Sequence, residues 1–289
     1  MSLFKSTDNK TEIFICIWEW CPTWCQSCYK TIKENKEYKL EKLKQQIDIS
    51  NEISDENFSY FLYWTNNIQN PEIIRIISYI KSLSRNLRIQ LPFETTKLDL
   101  KNLLKENFNN EYVISRKIDN KDLLKIFIKS LWEFHNNQII INYDLLIKED
   151  YISLLERILK KKFNVNNDWP LYLKLWNLNI NLRVLYSINY KEKKVQDLWI
   201  NSCFVYDSFN INNDYIEVVD HYEVDENLDV CFHNPLCYIW NNKIANLKHT
   251  NKEIISNFLE YKNHYLKNLN SDFEKNCFKC ITSGFRYKD

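Results

Sequence analysis

Glu12-Ile13-Phe14-Ile15-Cys16-Ile17-Trp18 leads, two residues on, into Cys21-Pro22-Thr23-Trp24-Cys25-Gln26-Ser27-Cys28. Residues 12–18 read as a strand apolar on both faces, as a strand inside a parallel sheet is. Three cysteines spaced Cys-x3-Cys-x2-Cys then occupy the loop that leaves it. Three thiolates on one short loop can hold three corners of a cubic iron–sulfur cluster and leave its fourth iron open. Zinc usually takes four protein ligands, often in paired Cys-x2-Cys knuckles, and no further Cys or His follows within the next hundred residues. A disulfide reading needs an oxidising compartment that nothing in the sequence supplies.

Working outward, strand-like and helix-like runs alternate. Phe58 to Tyr63 is a strand. Asn70-Pro71 is a cap and first-turn pair that opens a helix with Ile73, Ile76, Ile77 and Ile80 on its buried stripe. Before it, Lys30 to Lys44 reads as a mostly solvated helix surface, with Leu40, Leu43 and Ile47 facing in. Strand 87–93 precedes helix 98–107, strand 111–117 helix 121–134, and strand 138–145 helix 150–161; a last strand runs near 181–188. Six strands with five intervening helices predict an α/β fold with a parallel sheet. Right-handed crossovers would curl it into a partial (β/α)6 TIM-type barrel, with its chemistry at the carboxyl ends of the strands.

Beyond about residue 190 the composition shifts. Tyr215–Tyr222 and Leu228–His233 read as a hairpin, and Thr250-Asn251-Lys252-Glu253 is a capping box opening a helix to about Leu266. The expected division is a core over 1–190 and a small α+β appendage over 191–289. The appendage holds Cys231-x5-Cys237 and Cys277-x2-Cys280. These four suit a second iron–sulfur cluster or a zinc ion, or no metal at all, with His233 as a substitute ligand. Cys16 reads as a small buried hydrophobe, and Cys203 has no partner in sequence.

Together, the cysteine loop, the alternation and the cysteine-bearing tail resemble the radical S-adenosylmethionine (SAM) enzymes with a shortened SPASM/twitch-like appendage. The resemblance implies that Cys21, Cys25 and Cys28 hold a 4Fe–4S cluster to which SAM binds. It implies reductive cleavage of SAM to methionine and a 5′-deoxyadenosyl radical, which takes a hydrogen atom from the substrate. An electron donor of the ferredoxin or flavodoxin type is implied too, as is a peptide, protein or small-molecule substrate. Residues of the family that hold the SAM amino group fall here on Trp64-Thr65-Asn66, with Asn66 in place of a carboxylate. Those on the fourth strand fall on Ser115 and Arg116, where an arginine suits a bidentate carboxylate contact. Glu94 is an outside candidate for substrate contact. The chain departs from the family at Ser27, where an aromatic residue is usual, and at Trp64, which fills a place where backbone must approach a ligand.

Composition narrows the class. At 289 residues and 45% hydrophobic the chain can build one large core. The polar segment 1–10 has no signal-like apolar region, and no run approaches the ~20 apolar residues of a membrane span. These place the expectation in the cytoplasm, with no membrane partner. A net charge of +1, from 39 basic and 38 acidic residues, gives no footprint for nucleic acid. The competing classes are a non-enzymatic iron–sulfur or zinc binding protein and an RNA-modifying radical SAM enzyme.

One count is abnormal: a single glycine, Gly284, against nine tryptophans, where ordinary usage gives about 20 glycines in this length. Trp64, Trp169, Trp176 and Trp240 sit beside Asn, Pro or Thr, where turn chemistry asks for glycine. Some bacterial lineages read UGA as glycine, and a common alternative table reads it as tryptophan. The expectation is that many of these tryptophans are glycines in the natural protein. An A/T-rich genome accounts for the Ile, Asn and Lys bias but not for the missing glycine.

Overall fold

The computed structural model describes residues 2–7, 11–16, 40–63, 71–93, 95–105, 111–118, 120–135, 139–164, 171–185, 209–219, 221–225, 227–231 and 243–275. The chain divides into two compact units. The first comprises Met1–Tyr63, Arg75–Leu87 and Asn189–Asp289; the second comprises Trp64–Ile74 and Arg88–Ile188. Both are mixed α/β, built on largely parallel sheet.

In the first unit β2 (Glu12–Cys16) pairs in parallel with β3 (Ser59–Tyr63), joined through α1 (Leu40–Ile53). On its other side β2 pairs in parallel with β11 (His221–Val224), which turns back antiparallel into β12 (Asp229–Cys231) and then β13 (Ala245–Asn246). The order is β13-β12-β11-β2-β3. A smaller sheet sets β1 (Phe4–Ser6) beside β10 (Ile216–Val218) and β9 (Phe209–Ile211). The hairpin expected over 215–233 therefore starts later, at β11, and its first part belongs to the smaller sheet. The expected division at 190 falls next to the change of unit at Ile188/Asn189. β11, from the segment beyond it, extends the sheet that contains β2.

The second unit runs β4 (Leu87–Leu91), α3 (Lys97–Lys105), β5 (Glu111–Ile118), α4 (Lys121–Phe134), β6 (Ile141–Lys148), α5 (Glu149–Leu159), β7 (Leu171–Leu175) and β8 (Leu178–Leu185), of which Leu87 belongs to the first unit by its contacts. β4, β5, β6 and β8 are parallel in that order, and β7 closes the edge antiparallel to β8. No described pairing within either unit closes its sheet into a ring. β6 begins three residues later than the predicted start at 138, and β7 is an additional strand.

The cores follow from the patterns. Ile76, Ile77 and Ile80 of α2 (Pro71–Ser82) are buried, as are Leu43 and Ile47 of α1. Ile13, Ile15, Tyr60, Leu62, Tyr222 and Val224 alternate onto one face of the first sheet and are buried there. Tyr222 is fixed by stacking on Phe4 (4.7 Å between centroids) and by a 2.5 Å hydrogen bond between its hydroxyl and that of Ser54. In the second unit α4 starts at Asn120, whose side chain accepts from the backbone N–H of Asp122 and Leu123 at 3.1 and 3.0 Å. Tyr143 of β6 donates to Ser130 of α4 at 3.1 Å. The capping box is formed: the Thr250 N–H and hydroxyl both donate to Glu253, opening α6 (Asn251–Lys275).

Candidate functional site

β2 and β3 are in register from Glu12↔Ser59 to Cys16↔Tyr63. The chain therefore leaves these two neighbouring strands at the same, carboxyl, end. Cys21, Cys25 and Cys28 follow the first, and Trp64, Thr65 and Asn66 follow the second; all six lie outside the described residues, as do Glu94, Cys203, His233, Cys237, Cys277 and Cys280.

Ser115 and Arg116 are described, and the pleat separates them. Successive side chains on a strand point to opposite faces. Ser115 is exposed and stands in register with Asp144 of β6, which stands in register with Asn181 of β8. The Asn181 amide donates to Asp144 Oδ1 at 2.8 Å. That bond orients the Asn181 amide. One layer nearer the amino ends, Asn142 donates to Glu111, Asn179 to Asn142 (2.7 Å), and Tyr172 to Asn179 (3.2 Å). Arg88 Nε lies 3.6 Å from Glu111. A parallel sheet covered on both faces has apolar residues throughout; this one carries a polar ladder on one face. The signal was present as Asn142-x-Asp144 and Asn179-x-Asn181, a period of two polar residues within apolar strands.

Arg116 lies on the other face, opposite Leu145. Its guanidinium carbon sits 5.6 Å from the Phe93 ring centroid. Its Nε and Nη1 are buried, and no hydrogen-bond partner reaches either among the described residues. A buried cationic donor without an acceptor is costly, and a guanidinium presents the planar fork that matches a carboxylate.

In the first unit one face of the sheet brings Glu12, Phe14, His221, Glu223 and Cys231 together. Glu12 is in register with His221, Phe14 with Glu223, and Glu223 with Cys231. The Phe14 and His221 rings stack at 4.0 Å, and Glu12, His221 and Glu223 are buried. Burial pushes the Cys231 thiol up from its ordinary range, and the carboxylates of Glu223, Asp225 and Asp229 push it further. Cys231 is a free, buried thiol whose protonated form is favoured. Among the described residues no group of three or more His, Cys, Asp or Glu side chains is placed to hold a metal. No helix of the described residues is long and apolar enough to cross a membrane.

No known protein-family description matches the sequence, and no curated protein matches it. Among solved structures the chain is similar to SuiB of Streptococcus suis, crystallised bound to S-adenosylmethionine. The TM-score is 0.40 and the identity 12%, over 76% of this chain and 59% of that one. The match thus spans under two thirds of the SuiB chain, and a likeness at this TM-score decides neither fold nor activity.

Proposed function

We propose that the chain is a radical SAM enzyme, acting on a peptide, protein or small molecule. The observation that carries this reading is the spacing Cys21-x3-Cys25-x2-Cys28 directly downstream of β2, a strand held between two parallel neighbours. The donor set fits the cofactor: three thiols on a short loop match three irons of a 4Fe–4S cluster and leave one iron for SAM. Bound there, the cluster would supply the electron that cleaves SAM to methionine and a 5′-deoxyadenosyl radical. The chain's own contribution is binding and orientation. In this reading the Arg116 guanidinium takes the carboxylate of SAM, which supplies the acceptors that its buried nitrogens lack. Trp64, Thr65 and Asn66 meet the amino group; Ser115, on the opposite face of β5 from Arg116, stands apart from that contact.

The same reading takes the strands as a partial barrel, residues 1–190 as the core and 191–289 as a SPASM/twitch-like segment. Cys231, Cys237, Cys277 and Cys280 are its candidate ligands for a second 4Fe–4S cluster or zinc. A ferredoxin- or flavodoxin-type donor and a cytoplasmic setting complete it.

The test is anaerobic reconstitution followed by iron and sulfide analysis of the protein and of its Cys21→Ala/Cys25→Ala/Cys28→Ala variant. Loss of about four irons in the variant, and slow release of 5′-deoxyadenosine by the unsubstituted protein with dithionite and SAM, are the expected results. Unchanged iron content in the variant would sink the assignment of the loop. A full, reducible cluster that binds SAM without cleaving it would return the chain to the binding-protein class.

A further inference from the structure

We infer that residue 176 is glycine in the natural protein, and that the gene is read with UGA as glycine. The inference is independent of the proposed activity.

β7 and β8 are joined by a two-residue loop, Trp176-Asn177, with Leu175 paired to Leu178. Trp176 has φ 52°, and Asn177 is not among the residues with positive φ. A two-residue hairpin with positive φ at its first loop position alone is the type II′ pattern, and that position belongs to glycine. For any L-residue with a Cβ the left-handed region brings Cβ against backbone oxygen. Of the side chains that tolerate it best, Asn and Asp, neither is here; the residue is the bulkiest of all.

The loop has no freedom to relax to another geometry. Asn177 Nδ2 donates to the carbonyls of Ile139 (2.5 Å) and Phe134 (3.4 Å), and its own carbonyl accepts from Ile141 N–H at 3.2 Å. β8 is locked in register to β6 over eight residue pairs. The backbone around residue 176 is therefore set by neighbours that do not involve its side chain.

The indole has no place in the core. Trp176 is 56% exposed, and the other described tryptophan, Trp132, is 50% exposed. The largest fully buried side chains of the described residues are Tyr and Phe, with no Trp among them. Core anchoring, the ordinary reason for a chain to carry nine tryptophans, thus fails at both positions where it can be examined. As written, Trp176 also lies 5.0 Å from His135 and 6.3 Å from Trp132, making an exposed aromatic patch that nothing described covers. Glycine at 176 removes one ring of the three and leaves the Trp132–His135 contact, 6.0 Å between centroids. The same decoding puts glycine at residue 24, inside the cysteine loop, and at residue 64, where β3 ends.

Two measurements test this. The first is the codon for residue 176, together with the mass of the tryptic peptide 175–183 from the natural protein. UGA with a glycine-bearing peptide is expected; UGG, or a tryptophan-bearing peptide, overturns the inference. The second is thermal unfolding of the full chain made as written and of Trp176→Gly, with Trp132→Gly as control. Trp176→Gly should raise the midpoint by about 2–4 °C. Trp132→Gly, inside α4, should lower it, since glycine weakens a helix interior. A midpoint unchanged or lowered by Trp176→Gly refutes the backbone requirement on which the inference stands.

Discussion

Arg116 and Ser115 are adjacent in sequence and face opposite ways, so they answer different questions. Arg116 Nε and Nη1, buried beside Phe93 with no acceptor among the described residues, are a cost to the ligand-free chain. Arg116→Met should therefore leave the ligand-free chain as stable as before, or more so. On the proposed reading it should also abolish the rise in melting temperature that SAM would produce by binding only the folded state. Thermal scans with and without SAM read both effects; a plain loss of stability with the SAM shift intact would make Arg116 structural. At the same scale, Tyr60, Tyr143 and Tyr222 have their phenols raised above the usual range, first of all by burial. The unfolded chain ionises these groups near pH 10, while the folded chain keeps them protonated. Their contribution is thus complete below pH 10 and falls as pH rises above it, by about 1.4 kcal/mol per pH unit for each tyrosine. Urea midpoints measured between pH 8 and 11 should show that decline, shallower by one proton in Tyr143→Phe. The family resemblance marked Arg116 and Ser115 as positions on the fourth strand. It did not show which face each takes, because that depends on which side of the sheet the helices cover.

At the scale of elements, the stretches that read well carry their own punctuation. Pro71 and the isoleucine stripe of α2, the Thr250–Glu253 box of α6 and the span of α4 all stand where the residues put them. Asn120→Ala should cost about 1 kcal/mol by freeing the N–H groups of Asp122 and Leu123. Ile76→Ala, at a fully buried position, should cost about 2–5 kcal/mol. Equilibrium denaturation checks both. The misplacements have local causes. Ile139, Ile140 and Ile141 form one apolar run, so nothing in composition says that β6 starts at the third of them. β7 escaped because 171–175 does not read as a strand, although Trp176-Asn177 beside it stands where turn chemistry asks for glycine; Gly-Asn between two apolar runs would have announced a hairpin at once. The cysteine loop lies outside the described residues, and its reading rests on three thiols at fixed spacing, a chemical pattern that needs no knowledge of the surrounding backbone.

At the scale of the whole molecule, the tail is tied to the start of the chain. β11 pairs with β2 in parallel over four residues, from His221↔Glu12 to Val224↔Ile15. A chain ending at Ile188 would leave β2 an open edge and expose Ile13 and Ile15, which are buried in the full chain. Such a truncation should aggregate or elute as a broad, expanded species in size-exclusion chromatography, whereas a separable appendage would leave a compact remainder. Composition had suggested a boundary near residue 190, and composition could not show the pairing, because parallel partners far apart in sequence leave no mark in either strand.

The place of β2 between β3 and β11 also sets an order of events. A ribosome adds about 5–20 residues per second, and some two hundred residues separate Cys16 from His221. The strand that feeds the cysteine loop therefore waits roughly 10–40 s for its second neighbour. On the proposed reading, a cluster bound by Cys21, Cys25 and Cys28 would be delivered either to a sheet that still lacks β11 or only after the tail has docked.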